Sequence, residues 1–379
     1  MKIFKIRGIE IKFHISTLVI VAIVGFYAAS IYYTNLKGNV QIWELILVGL
    51  INGILILLSI LAHELMHSLM ALRKGIKVSE IDLYLFGGVS KIEEEPDNPK
   101  NEFLISIVGP ITSLIIGSIL MILYFLPVKY NPMIYITIYY IGLSNILLGI
   151  FNAIPAFPMD GGRVLRAYLW HKRKNILSAT KTASKVGVFF GYAMIIFGFV
   201  EMIFIGVFSG FWFVLIGWFL ISSAKNSFAH TIVEVKLSNL YAKNILHPLT
   251  ISIPFNMLII DSIRYYFMVY KKSYFPISEG DKIVGIIDLK TIQKIPVDER
   301  SNILVDNAMY KISDFPIING EESGKKALMS LRKIRNIPKL LIVVERDTDK
   351  ILGIIGEEDI RAALEYADII KHHEINFNS

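Results

Sequence analysis

Cysteine is absent from the 379-residue chain, which excludes a disulfide framework and any thiolate-bound metal. A metal ion here must take nitrogen and oxygen ligands. Charge is also scarce: 19% of residues are charged and 54% are hydrophobic. The mean hydropathy of +0.55 lies well above that of soluble domains. Apolar residues gather in runs long enough to cross a bilayer, so the chain reads as a polytopic α-helical membrane protein. The net charge of +7 calls for no nucleic-acid partner, because the basic residues fall where they set membrane topology.

Six spans are expected, at about 15–33, 43–72, 103–126, 132–154, 186–206 and 210–224. The first follows Lys2, Lys5, Arg7 and Lys12 and resembles a signal peptide, but it outruns a signal-peptide core and reads as a retained span. The connections at 34–42 and 127–131 carry only Lys37 and Lys129, whereas 163–185 holds seven Lys and Arg residues and no acid. Alternation across six spans then puts both termini and the basic segment in the cytoplasm of a multi-pass cell-membrane protein. Residues 78–95 are not a span. Their alternation and the Gly87-Gly88 pair read as a short β-hairpin, re-entrant if it dips into the membrane against the helices. An ordinary surface hairpin is the other reading.

His63-Glu64-Leu65-Met66-His67 lies inside the second span. Two histidines four apart share one helix face, where both imidazoles reach a single metal ion, and the intervening glutamate is the usual general base of a zinc peptidase. Ionisable groups are costly in a hydrophobic span and need a reason to be there. His67 precedes Arg73 by six residues, or roughly 9 Å of helix, which puts the motif inside the bilayer near its cytoplasmic side. A catalytic zinc needs a third protein ligand and an open position. Asp160 is the candidate, in the segment from Phe151 to Gly162 at the cytoplasmic end of span four. Pro155 and Pro158 break the helix there, and Gly161-Gly162 permit close backbone approach. The alternative for Asp160 is a helix N-cap at the membrane surface. Glu201, in span five, lies toward the opposite side and reads as a packed carboxyl.

The His63 motif together with Asn152-x-x-Pro155-x-x-Pro158-x-Asp160-Gly161 resembles the site-2 protease family of intramembrane zinc metalloproteases, over about residues 1–225. That resemblance implies one zinc ion per chain held by His63, His67 and Asp160, with Glu64 as the base toward a zinc-activated water. It places Asn152, and the Gly87-Gly88 turn, in contact with substrate or the tetrahedral intermediate. The implied substrate is a membrane protein cleaved within or near a transmembrane segment, and the implied setting is the lipid bilayer.

Beyond Lys225 the composition turns to a soluble α+β pattern with an internal repeat: Ile283-Val284-Gly285-Ile286-Ile287-Asp288 recurs as Ile351-Leu352-Gly353-Ile354-Ile355-Gly356. This half resembles a tandem pair of CBS domains, over about 242–369. The expected plan is a protease domain at 1–226, a linker at 227–241, repeats at 242–297 and 298–369, and a tail at 370–379. Such pairs imply an adenine-nucleotide site, here at Asp288 and Asp359, and a dimer through the CBS domains. The first repeat reverses the family's Ser/Thr-to-Asp order, with Asp288 before Thr291, and the second has Gly356 before Asp359. A CBS-gated ion transporter or channel is the alternative function. Under it the intramembrane carboxylates and histidines would line an ion path.

Overall fold

A computed structural model describes residues 2–84, 87–92, 96–128, 130–280, 282–346, 348 and 350–366. Leu85 and Phe86 of the expected hairpin, Lys129, and the tail at 370–379 lie outside the described residues. The chain divides into two compact units, residues 1–229 and 230–379.

The helices of the first unit are α1 (Thr17–Asn35), α2 (Ile42–Arg73), α3 (Pro99–Phe125), α4 (Pro132–Ala153), α5 (Asp160–Arg173), α6 (Ile176–Phe204) and the greater part of α7 (Val207–Ser238). Among the described residues, six helices are long and apolar enough to cross a membrane, and α5 is not one of them. Three spans begin where an asparagine caps them: Asn98 accepts from the Asn101 amide, Asn131 from Met133 and Asn175 from Ser178. A proline at the first helical position follows two of these caps, where no N–H is needed. The 32 residues of α2 run about 48 Å, longer than a bilayer core of ~30 Å. Large apolar side chains such as Phe26, Ile203 and Trp218 face outward, as lipid-facing residues do.

The strands β1 (Lys2–Ile6), β2 (Ile9–Phe13), β3 (Val78–Tyr84) and β4 (Gly87–Ile92) form one sheet in the order β1-β2-β3-β4. The expected hairpin is therefore half of a four-stranded sheet. β2 pairs in parallel with β3, matching Ile11 to Ile81 and Phe13 to Leu83. Ile9, Ile11, Ile81 and Leu83 are fully buried and pack with Ile60, Leu61 and Ala71 of α2. The residues ahead of the first span, read from sequence only as a basic tail, thus form a hairpin. Their Ile9-Ile11-Phe13 alternation is a period-two strand signal that the lysines obscure.

Two span boundaries differ from expectation. Span five starts at Ile176, ten residues before 186, because Lys181 and Lys185 are exposed on its flank. Such side chains can reach out of an apolar helix while their stems cover it. The last span continues to Ser238, so most of the expected linker at 227–241 is helix, and Leu237 is a fully buried core residue of the second unit.

The second unit is α+β. Its helices are α8 (Ala242–Ile245), α9 (Ile259–Ser262), α10 (Met268–Tyr270), α11 (Leu289–Gln293) and α12 (Gly324–Lys333). Its strands are β5 (Ile253–Pro254), β6 (Tyr274–Glu279), β7 (Lys282–Asp288), β8 (Tyr310–Lys311), β9 (Ile317–Asn319), β10 (Leu340–Val344) and β11 (Ile351–Gly356). The repeat is visible in the pairing. β5 runs parallel to β6 and β9 to β10, while β6-β7 and β10-β11 are antiparallel hairpins. Gly285 opposes Ile277 in one hairpin, and Gly353 opposes Val343 in the other. Each hairpin leads into helix, α11 in the first copy and residues 357–366 in the second.

Candidate metal centre

α2 presents His63 and His67 on one face, both buried, and Asp160 reaches them from the first turn of α5. The Asp160 Oδ2 lies 3.1 Å from each histidine Nε2, and the two Nε2 atoms are 3.2 Å apart. Among the described residues these three side chains form the one cluster of potential metal ligands.

The remote ring nitrogens are held in place. His67 Nδ1 lies 2.6 Å from the Ile105 carbonyl, and His63 Nδ1 lies 2.9 Å from Ser113 Oγ, both on α3. A carbonyl only accepts, so His67 Nδ1 carries the proton and in the neutral ring Nε2 is a lone pair. That lone pair faces a second imidazole nitrogen and a carboxylate oxygen. With the His63 proton likewise on Nδ1, donated to Ser113 Oγ, three acceptors converge in a buried spot, and a cation among them would relieve their repulsion. Ligand atoms of a tetrahedral zinc, ~2.0–2.2 Å from the ion, lie about 3.3–3.5 Å apart. The observed edges of 3.1 and 3.2 Å match that triangle closely. The donor set of two imidazoles and one carboxylate is also a catalytic zinc set. The residues therefore fit zinc.

Two glycines make the room. A Cβ added at Gly109 of α3 would run into the Nε2 atoms of both histidines. A Cβ added at Gly88, near the start of β4, would run into the Glu64 side chain. The first turn of α5 needs the same economy: at Gly161 and Gly162 a Cβ would strike the backbone of residues 153–157. Glu64 is half-buried and points off the histidine face, against β4.

The sequence-read residues do not all meet. His63, His67 and Asp160 converge, and Glu64 lies beside them against Gly88. Gly87 opens β4, opposite Tyr84 in register. Asn152 is half-buried, and its Nδ2 donates to the Leu148 carbonyl of its own helix at 3.0 Å rather than to the converging side chains. Sequence reading missed the contribution of α3. Ile105, Gly109 and Ser113 follow one another at intervals of four on a single helix face. The small residues at the second and third of those positions were the available signal.

In the second unit each acidic candidate binds backbone. Asp288 caps α11 by accepting from the Thr291 amide at 3.0 Å, and Asp359 accepts from the Gly356 amide at 2.8 Å. Burial raises the Asp359 carboxyl above its ordinary range, against the opposing Gly356 amide and the His247 and Lys272 charges. Burial raises the Tyr274 phenol too, assisted by the charges of Asp359 and Glu358. A cavity lined by His247, Lys272, Tyr274, Phe275 and Ile354 measures about 20 Å³. That is room for a water molecule, whereas small-molecule pockets run to roughly 300–1,000 Å³.

The model of Peptidase family M50 matches residues 52–134 and 129–198. A zinc metalloprotease of Methanocaldococcus jannaschii is 31% identical over 373 residues, covering 97% of each chain. Among solved structures, the site-2 protease from Methanocaldococcus jannaschii is similar at 32% identity and a TM-score of 0.41, covering 60% of this chain and 94% of that one. The CBS domain of a bacterial magnesium transporter of the CNNM/CorC family is similar at 18% identity and a TM-score of 0.30, covering 35% of this chain and 79% of that one.

Proposed function

Because the chain belongs to peptidase family M50, whose members are membrane zinc metalloproteases, we propose that it hydrolyses a peptide bond within or near a transmembrane segment of a membrane-tethered substrate, with Glu64 as general base. The observation that carries this reading is the convergence of His63, His67 and Asp160 to within 3.2 Å of one another in an apolar helical bundle. Those three residues would hold the zinc ion. When bound, zinc supplies Lewis acidity that polarises the scissile carbonyl and makes water a nucleophile near neutral pH.

The protein's own groups supply the rest. Glu64, one residue from His63 and off the ligand face, takes the proton of the attacking water and returns it to the departing amide nitrogen. Ser113 and the Ile105 carbonyl hold both rings with Nε2 inward, and the carbonyl also fixes the His67 tautomer. Asn152 would contact the substrate backbone by releasing Leu148 and turning its amide toward the cleft.

A transmembrane helix hides its carbonyls in hydrogen bonds and must unwind before cleavage. The unwound segment would pair with β4 by strand addition. Support comes from the sheet order: β3 is paired on both sides, and among the described residues β4 pairs only with β3. β4 also carries the glycine that abuts Glu64. Successive residues of a strand aim their N–H groups at opposite edges, so one of Val89 and Ser90 carries an outward donor, and a proline at that position removes it. That variant should cleave several-fold more slowly with zinc content unchanged.

The charge pattern supports an orientation with both termini in the cytoplasm. For the second unit the reading is regulation or dimerisation of the protease through the paired repeats. An adenine nucleotide would have to open the small cavity beside His247 and Lys272 to enter. Titration of the zinc-loaded protein with ATP and AMP tests this: heat of binding with altered cleavage supports it, and neither rejects it. The main reading is tested by cleavage of a candidate membrane span by purified, zinc-replete protein in detergent. Cleavage by the wild type and its loss in Glu64→Gln is expected, and equal cleavage by both would overturn Glu64 as the base.

A further inference from the structure

Near the metal centre, but outside it, lies an ion pair whose burial is as complete as that of the histidines. Arg166 of α5 and Glu102 of α3 are 5% and 2% exposed. The Arg166 Nε donates to Glu102 Oε1 at 2.5 Å. The guanidinium also stands over the Phe157 ring, 5.4 Å from its centroid, in the irregular segment that leads into Asp160. The pair therefore ties together three pieces of chain: the start of α3, the body of α5 and the loop before α5.

Each of these pieces serves the site. Glu102 sits three residues ahead of Ile105, whose carbonyl holds His67, and one helical stripe ahead of Gly109 and Ser113. Arg166 sits on the helix whose first residue is Asp160. Asp160 thus stands at the edge of that helix rather than in its body. Its helix lacks a side-chain N-cap, and the chain before it is non-helical from Ile154 to Met159. Burying an arginine and a glutamate contributes little net stability compared with apolar residues of the same volume, whereas the planar guanidinium fixes direction well.

We propose that the Arg166–Glu102 pair is a positioning clamp that docks α5 on α3 and so delivers the Asp160 carboxylate to the two imidazoles. Neither residue touches the reacting atoms. The clamp acts through Asp160. The proposal rests on the zinc-site reading above, and its experiment separates the two.

Full-length protein in detergent is stripped of metal and titrated with Co2+, whose visible absorption reports the ligand set, with a competing chelator giving the affinity. Wild-type protein that binds no Co2+ would overturn the zinc-site reading itself. Given wild-type binding, Glu102→Gln and Arg166→Met should each weaken Co2+ binding about 10-fold or more, within the range for residues that orient metal ligands. The absorption should move toward that of Asp160→Ala. In the Asp160→Ala background the same substitutions should change affinity less than about twofold, because the group they position is gone. Should a single variant misfold around its unpaired charge, the doubly apolar Glu102→Met/Arg166→Met protein leaves no lone charge and carries the same readouts. Folded clamp variants with wild-type Co2+ affinity and spectrum would overturn the proposal. So would losses of equal size with and without Asp160, which would mark the pair as packing alone.

Discussion

The candidate carboxylates of the two units are bonded in opposite ways. In the first, the bonds that matter join residues far apart in sequence: His63 to Asp160 across 97 positions, and His63 to Ser113 across 50. In the second, Asp288 and Asp359 each satisfy a backbone amide three residues away. A carboxylate bonded locally is serving the chain's own turns and helix ends. One held by remote imidazoles in an apolar bundle has been brought there at the cost of desolvation, and that cost needs a chemical reason. Among the three candidate aspartates, separation along the chain thus sets Asp160 apart from Asp288 and Asp359 where residue type cannot.

Substitutions can break this contrast or sharpen it. The largest effect is expected from Glu64→Gln, which should lower cleavage by about 10²–10⁴-fold with zinc content unchanged by metal analysis. Next, Gly109→Ala should expel or displace the metal, because its new methyl collides with both imidazoles. Zinc affinity measured against a chelator should fall by ~10-fold or more, and an unaltered value would mean that α3 retreats freely. Ser113→Ala removes one remote contact and should weaken zinc by roughly 10-fold. The smallest effect belongs to the other unit. Asp288→Ala should loosen α11 by about 1 kcal/mol, seen as faster amide exchange there, and leave zinc binding and cleavage as they were. A large loss of cleavage from that last change would mean that a local cap in the second unit controls the first.

Much of this was legible beforehand, for identifiable reasons. The spacing of His63 and His67 is a helix repeat, so any apolar span containing them must place both on one face. Asp160 could be found because two prolines announce the end of α4. The glycines at 285 and 353 exposed the repeat, since each sits at the same point of its hairpin. What stayed hidden depends on long-range pairing. Nothing local marks residues 10–13 as the parallel partner of residues 80–83, and lysines at 181 and 185 conceal the start of α6. The role of α3 was hidden for a different reason: one of its contributions is a backbone carbonyl, which has no side-chain signature.

The parallel pairing of β2 with β3 has a further consequence. His14 donates its amide, and Thr17 its hydroxyl, to the Leu83 carbonyl, so the start of the first span is stitched to the hairpin that backs Glu64. Deleting residues 2–13 would bare a second edge of that hairpin, on the side away from β4. A strand-adding chain would then meet two sheet edges there instead of one, and the first span would lose much of its fastening to the sheet beside Glu64.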